Sequence, residues 1–129
     1  MVISNKQDQK DLIELNNLSQ SFELIDLNIT GNELSKDKYD ILVFYSDYNL
    51  IINQSLLCGY LNCLKLNRFE GLVGTLKVPG GAFELPLLTS KIIRKYSPKL
   101  CLVVGCIIKG ETQHYEFLSS TVTNAIRNV

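Results

Sequence analysis

The stretch Leu-Cys-Leu-Val-Val-Gly-Cys-Ile-Ile-Lys-Gly-Glu-Thr-Gln-His, residues 100–114, joins an apolar strand to a glycine-bounded loop and the start of a helix. Leu100–Val104 is wholly apolar, as in a parallel strand that is covered on both faces. Between Gly105 and Gly110 the chain turns, and the following residues begin an apparent helix with the only histidine of the protein, His114. Ligands bind at the carboxyl ends of the strands in open α/β sheets. The stretch therefore predicts an α/β fold and the place of its site.

Two further strands precede this stretch. Ile41–Tyr45 is a second continuous apolar run, and Leu72–Val78 is a third, which ends at Pro79-Gly80-Gly81. A helix with Asn53 as its cap is expected between them, because apolar positions recur there with a period of 3.6 residues. Those apolar positions are Leu56, Leu57, Tyr60, Leu61 and Leu64.

The remaining elements continue the alternation of strands and helices. Phe83–Tyr96 is predicted to be a helix with Pro86 in its first turn, where proline is tolerated, and Ser97-Pro98 ends it. The last strand is expected to run from Leu100 to Ile108, and Thr112 is expected to cap a final helix. The inner face of that helix is predicted to consist of Phe117, Leu118, Val122, Ala125 and Ile126.

The order of strands and helices predicts a parallel sheet in a three-layer α/β/α sandwich. Three strands make a thin sheet, so a further strand is expected, either from a neighbouring subunit or from a C-terminal part that is missing from these 129 residues. We distinguish an N-terminal extension, residues 1–38, from an α/β domain, residues 39–129. In the extension Gln7–Leu18 is expected to form a weak helix, and Phe22–Ile29 a strand that pairs with a neighbouring subunit.

Composition and charge exclude several classes of protein. Thirteen basic and thirteen acidic residues give a formal charge of zero, so nothing predicts binding to nucleic acid. Met1–Lys10 is polar and lacks a signal-peptide core, and no apolar run reaches the roughly 20 residues that span a bilayer. We therefore expect a cytoplasmic protein without a membrane partner. Cys58, Cys63, Cys101 and Cys106 lack the spacing of zinc ligands and are expected to be buried as small hydrophobes, so no metal site is predicted.

Three loops are expected at the carboxyl ends of the strands. The first follows Ile41–Tyr45 and the second follows Leu72–Val78. In Ser46–Asn49, Tyr48 is either a partly exposed aromatic residue of a polar loop or a platform that stacks on a planar heterocycle, with Asn49 fixing the loop. In Val78–Pro86, the paired glycines allow a ligand to approach the backbone closely. Glu84 either complements the positive end of a helix dipole or accepts hydrogen bonds from ligand hydroxyls.

The third loop, Gly110–His114, carries amide groups at the N-terminus of a helix. Such amides bind anions, most often phosphate. A lone histidine is more often structural than catalytic. Beside a predicted anion site, however, His114 is also a reasonable proton shuttle, since histidine titrates near neutral pH.

In order and spacing these motifs resemble those of the lumazine synthases, which catalyse the penultimate step of riboflavin biosynthesis. The resemblance rests on Tyr48-Asn49, on Val78-Pro79-Gly80 with Ala82–Pro86, and on Gly110-Glu111-Thr112 with His114. It implies a flavodoxin-like fold and a transferase that needs neither metal nor cofactor. The implied reaction condenses 5-amino-6-(D-ribitylamino)uracil with 3,4-dihydroxy-2-butanone 4-phosphate to 6,7-dimethyl-8-ribityllumazine, and releases phosphate and water.

The resemblance also implies roles for single residues and for assembly. Tyr48, beside Asn49, would stack on the pyrimidine, and His114 would be the general acid and base. Backbone contacts to the ring would come from Cys106, Ile107 and Ile108. The ribityl chain would be held by Ala82, Phe83 and Glu84. The butanone phosphate would be bound by Glu111 and Thr112. The family forms pentamers and icosahedral shells of pentamers, so a homo-oligomer is implied.

Several positions depart from the family pattern. Asp47 stands where arginine is usual, Gly80-Gly81 has one glycine more than is common, and Lys109 replaces an arginine. The C-terminal strand and helices of the family, with their phosphate-binding arginine, are expected to be missing. The alternative function is therefore that of a non-enzymatic or inactive truncated relative that only binds ligand or assembles. An archaeal-type riboflavin synthase and a flavin carrier share the fold, but the histidine context and the loop after the first strand disfavour them.

Overall fold

A computed structural model describes residues 22–27, 38–111 and 113–129. Within these ranges the alternation of strands and helices is confirmed. The elements are β1 (Glu23–Asp26), β2 (Ile41–Ser46), α1 (Leu50–Leu66), β3 (Leu72–Val78), α2 (Leu85–Tyr96), β4 (Leu100–Val104) and α3 (His114–Arg127). A 3-10 turn, Ala82–Glu84, leads into α2. In the described ranges no helix combines the length and the apolar character needed to cross a membrane.

The four strands form one parallel sheet in the order β1-β3-β2-β4. All six residues of β2 are buried, as expected of an apolar run with a strand on each side and helices on both faces. Strand β4 lies at an edge of the sheet, and Leu100 at its start is 52% exposed.

Helices cover both faces of the sheet. The side chains of β2 alternate, so that Ile41, Val43 and Tyr45 share one hydrophobic cluster with Leu57 and Leu61 of α1. The opposite face carries Leu42 and Phe44. These two residues belong to a second cluster, against which residues of α2 and α3 pack, among them Leu85, Ile92, Val122 and Ile126. The protein thus has the predicted three-layer α/β/α architecture.

The strand predicted at Phe22–Ile29 is present at Glu23–Asp26, but it has a different partner from the one expected. It pairs with β3 of the same chain, in register from Glu23 with Leu72 to Asp26 with Thr75. The apolar residues at its two ends account for this pairing, because Phe22 is buried in the first cluster and Leu27 in the second. The helix predicted at Gln7–Leu18 lies outside the described residues.

Three local predictions about helices and cysteines were wrong. Asn53 does not cap α1, because the helix begins at Leu50, directly after Asn49 in the left-handed conformation. Phe117 is 72% exposed instead of buried on the inner face of α3. Cys63 is exposed and the other three cysteines are only half-buried. Cys63 lies two positions from buried Leu61, and such positions do not share a helix face.

The last strand is also shorter than predicted. It ends at Val104 rather than Ile108, and residues 105–110 form a loop without regular structure. This difference has a functional consequence, since it leaves the backbone of the loop unpaired with any strand.

At the amino end of the sheet, Asp40 joins three elements. Its Oδ2 accepts a hydrogen bond from the Leu72 amide at 2.8 Å, and its Oδ1 lies 2.6 Å from Lys99 Nζ. These hydrogen bonds, first that of Lys99 and then that of Leu72, hold the pKa of the Asp40 carboxyl below its usual value. This end of the sheet is opposite to the carboxyl ends of the strands, where the candidate site lies.

Candidate functional site

A cleft of about 750 Å³ lies beyond the carboxyl ends of β2, β3 and β4. Parallel strands end at the same edge of a sheet, so the loops that follow them are brought together there. Nine of the eleven candidate residues from the sequence line this cleft: Tyr48, Asn49, Ala82, Phe83, Glu84, Cys106, Ile107, Ile108 and His114. Three loops distant in sequence, together with the start of α3, therefore form one site.

The first loop carries Tyr48, whose side chain is 67% exposed at the cleft. Asn49 follows in the left-handed conformation, with φ 55° and ψ 43°, which asparagine tolerates better than most residues. Its Nδ2 donates a hydrogen bond to the Cys106 carbonyl at 3.0 Å. Asn49 thus ties the first loop to the third, as the prediction that it fixes its loop requires.

The second loop contains a tight turn at Gly80, whose φ of 91° disfavours residues with a side chain. A Cβ at Gly80 would come within 2.9 Å of Glu84 Cδ, so the Glu84 side chain lies against this turn. Glu84 directly precedes α2, but its side chain makes no capping hydrogen bond there. Its carboxylate is exposed at the cleft and is not engaged as a helix cap.

The third loop begins with a close approach to α2. A Cβ on Gly105 would lie 3.0 Å from Leu85 Cδ1, closer than nearly all such contacts, so glycine allows the loop to pack here. Beyond it, Ile107 packs against the second hydrophobic cluster and Ile108 is 61% exposed. The loop backbone is accessible to a ligand because no neighbouring strand takes its hydrogen bonds in the described part of the sheet.

The start of α3 brings the only histidine to the cleft. His114 is the first residue of the helix and is exposed. Gln113 precedes it without a capping hydrogen bond from its side chain. Glu111 is exposed and does not belong to the cleft lining. Thr112 lies outside the described residues.

Sequence reasoning missed most of the wall that α3 contributes. Tyr115, Phe117, Leu118 and Thr121 also line the cleft. Apart from Tyr115, these residues lie three, four and seven positions after His114, which is the spacing of one helix face. The spacing places them near His114 on the helix, but the apolar pattern alone does not show which part of the face packs against the core and which part lines a cleft.

Two buried residues behind the cleft were also missed. Ser46 is 1% exposed and Asn53 is fully buried. Asn53 Nδ2 donates hydrogen bonds to the carbonyls of Ser46 and Tyr48, both at 2.9 Å. An asparagine at this position can either cap a helix or reach back to the loop, and the two are distinguished only by its burial.

The charges near the first loop are balanced. Asp47 Oδ1 lies 3.7 Å from Lys77 Nζ, and both side chains are about 40% exposed, so this ion pair contributes little stability. Burial raises the pKa of Tyr45 to about 12, and the nearby carboxylates of Asp26 and Asp47 act in the same direction. Tyr45 therefore stays neutral. The described ranges contain no cluster of three or more potential metal ligands.

Comparison with known proteins gives the family. A model of the 6,7-dimethyl-8-ribityllumazine synthase family matches residues 38–129. A protein of that name from Buchnera aphidicola subsp. Baizongia pistaciae is 35% identical over 99 residues, or 74% of this chain. One from Pyrococcus furiosus is 37% identical over 89 residues, or 69% of this chain, and one from Thermococcus kodakarensis is 27% identical over 105 residues, or 81%.

The chain spans 60%, 55% and 66% of the lengths of these three relatives, respectively. The matched region begins at the residue before Tyr39 and contains all three loops of the cleft. The match covers well over half of the sequence, and the chain belongs to the 6,7-dimethyl-8-ribityllumazine synthase family.

Proposed function

We propose that this protein condenses 5-amino-6-(D-ribitylamino)uracil with 3,4-dihydroxy-2-butanone 4-phosphate to 6,7-dimethyl-8-ribityllumazine in riboflavin biosynthesis. The observation that carries the proposal is the single cleft into which the fold brings nine residues chosen from sequence. The names of the three relatives support the same reaction. No cofactor or metal is part of the proposed reaction.

The first substrate is proposed to occupy the cleft between the three loops. Its pyrimidine ring stacks on the exposed ring of Tyr48 and contacts the loop backbone at Cys106, Ile107 and Ile108. The ribityl chain extends along Ala82 and Phe83 toward Glu84. The exposed Glu84 carboxylate, which caps no helix, accepts hydrogen bonds from ribityl hydroxyls.

The second substrate is proposed to bind beside α3. Glu111 and Thr112 contact its phosphate, helped by the partial positive charge at the N-terminus of the helix. His114 transfers protons during imine formation, phosphate loss and ring closure. The remaining catalysis comes from holding two reactants next to each other, which removes much of the entropic barrier.

We further propose a cytoplasmic homo-oligomer, either a pentamer or a multiple of pentamers, without nucleic-acid or membrane partners. Residues 39–129 form its catalytic domain, and residues 1–38 are an extension whose strand β1 pairs with β3 of that domain. The start of the family match at residue 38 supports this division. Sedimentation of the purified chain tests the assembly, and a stable monomer would contradict it.

The reaction itself is tested by mixing the chain with both substrates and following lumazine formation by absorbance. We expect turnover by the natural chain and a fall of about 10²–10⁴-fold for His114→Ala, the usual contribution of a general acid or base. An unchanged rate in the variant would show that His114 moves no proton. If the natural chain binds ribitylaminouracil but forms no product, the alternative function applies, and the chain is a non-enzymatic relative.

A further inference from the structure

The loops of the cleft are joined from behind by two side chains that do not line it. Ser46 is the last residue of β2, and Asn53 lies in the first turn of α1. Both are almost completely buried. Neither can touch a ligand in the cleft, so any effect they have on binding must pass through the residues that they hold.

Asn53 holds the first loop from the helix side. Its Nδ2 donates to the Ser46 carbonyl and to the Tyr48 carbonyl, each at 2.9 Å, and these two carbonyls flank Asp47. Its buried Oδ1 accepts no hydrogen bond from the residues that the structure describes. A buried acceptor without a partner is unfavourable. The contacts of the Asn53 amide with the first loop are therefore its two donated hydrogen bonds.

Ser46 connects the first loop to the second. Its Oγ donates to the Gly80 carbonyl at 2.9 Å and accepts a hydrogen bond from the Tyr48 amide at 3.1 Å. The Gly80 carbonyl also accepts a bond from the Tyr48 amide at 3.0 Å. The Glu84 side chain lies against Gly80. The Ser46 hydroxyl therefore connects the backbone of Tyr48 to the turn against which the Glu84 side chain lies.

We infer that Ser46 and Asn53 are positioning residues, which set the distance between the Tyr48 ring and the Glu84 carboxylate before a substrate arrives. As far as it concerns ribitylaminouracil, the inference rests on the proposed function, in which these two groups hold opposite ends of that molecule. A preformed spacing lowers the ordering cost of binding. If this spacing is lost, the affinity for ribitylaminouracil should fall more than the rate at which the bound substrates react.

The test compares Ser46→Ala with Ser55→Ala. Ser55 also donates a hydroxyl hydrogen bond, to the Ile51 carbonyl at 2.9 Å, but it lies on the exposed side of α1. Amide exchange is measured for Asp47 and Tyr48, whose amides donate to the Val78 and Gly80 carbonyls. We expect exchange about tenfold faster in Ser46→Ala, for the loss of a buried hydrogen bond, and unchanged exchange in Ser55→Ala.

Calorimetry with ribitylaminouracil supplies the second measurement. We expect Ser46→Ala to weaken Kd about tenfold and to raise KM similarly, with kcat nearly unchanged. Because Ser46→Ala also loses a buried hydrogen bond, its melting temperature should lie about 5 °C or less below that of Ser55→Ala. Asn53→Ala is a second variant, which should accelerate the same two amides. Equal exchange in the two serine variants overturns the inference. So does faster exchange in Ser46→Ala with an unchanged Kd, because the link would then be structural only.

The two failures are distinguishable. If the natural chain neither binds ribitylaminouracil nor forms lumazine, the proposed function fails, and the exchange rates alone decide whether Ser46 and Asn53 hold the loops together. If the natural chain binds and turns over but both serine variants behave alike, the positioning inference fails and the proposed function stands.

Discussion

The two walls of the cleft are built in different ways. The strand-loop wall is formed by residues 48–49, 81–84 and 106–108. Hydrogen bonds connect its loops, including those of Ser46 with Gly80 and of Asn49 with Cys106. The helical wall, formed by His114, Phe117, Leu118 and Thr121, belongs to a helix without a buried residue. Within α3, the Ser119 hydroxyl donates to the carbonyls of Tyr115 and Glu116, which belong to the same helix.

Because of this difference, the proposed binding of ribitylaminouracil depends mainly on the strand-loop wall. The proposed proton transfer by His114 depends on the helical wall. Contacts proposed for the pyrimidine and the ribityl chain lie mainly on the strand-loop wall, where each net hydrogen bond contributes about 0.5–1.5 kcal/mol to holding the loops. The proposed proton shuttle is the first residue of α3, and the proposed phosphate contacts come just before that helix in the sequence. The helical wall is positioned by half-buried apolar residues such as Val122 and Ile126, so we expect it to be anchored to the sheet less firmly.

The largest expected effect tests how much the apolar packing behind each wall contributes to the free energy of unfolding. Leu57→Ala removes a side chain that is 1% exposed in the cluster below the strand-loop wall, and it should lower the free energy of unfolding by about 2–5 kcal/mol. Ile126→Ala, in half-buried α3, should cost about 1 kcal/mol, since less area is lost and alanine favours helix. Urea denaturation measures both. Equal costs would show that α3 is as firmly anchored as the sheet.

The sheet and the strand-loop wall were largely predictable, for physical reasons. Ile41–Tyr45 is apolar at every position, which is typical of a parallel strand covered on both faces. A parallel sheet then places the residues after each strand at one edge, so the loops that carry Tyr48, Glu84 and His114 could be expected together before any coordinates. The end of the last strand was less predictable, since it lies at Val104 rather than Ile108.

The features that could not be predicted depend on tertiary contacts. Asparagine is a common helix-capping residue. Only the burial of Asn53 against the Ser46 and Tyr48 carbonyls shows its actual partners. The pairing of Glu23–Asp26 with β3 depends on where Phe22 and Leu27 are buried. Phe117 belongs to an apolar helix face, but that face is divided between the core and the cleft.

A smaller effect compares an exposed aromatic residue from each wall. Tyr48→Ala should weaken ribitylaminouracil binding by about 1–3 kcal/mol, the usual value of stacking between an aromatic side chain and a base. Phe117→Ala removes a ring that is similarly exposed, at 72% against 67% for Tyr48. It should change Kd less than threefold, roughly 0.6 kcal/mol, because the proposed pyrimidine position is over Tyr48. Calorimetry checks both. A larger loss for Phe117→Ala would place the ring against the helical wall.

The smallest effect lies at the amino end of the sheet, far from both walls. Asp40→Asn should cost no more than about 1 kcal/mol at neutral pH, because the Lys99 side chain is 83% exposed and its ion pair is screened by solvent. The pKa of Asp40 is lowered in the folded state. The unfolded chain therefore takes up the proton first as pH falls. The stability contributed by Asp40 is complete above the unfolded pKa, about 4, and is lost as the pH falls through the lower folded pKa.

Urea midpoints of the natural chain and of Asp40→Asn should therefore differ at pH 7 and converge as the pH falls below the folded pKa of Asp40. Lys99→Gln separates the two bonds of Asp40, since it removes the exposed ion pair and leaves the bond from the Leu72 amide. It should cost less than Asp40→Asn. Neither variant should alter Kd for ribitylaminouracil. A change in Kd would mean that the strand-loop wall depends on the far end of the strands as well as on its own hydrogen bonds, and the contrast between the two walls would then weaken.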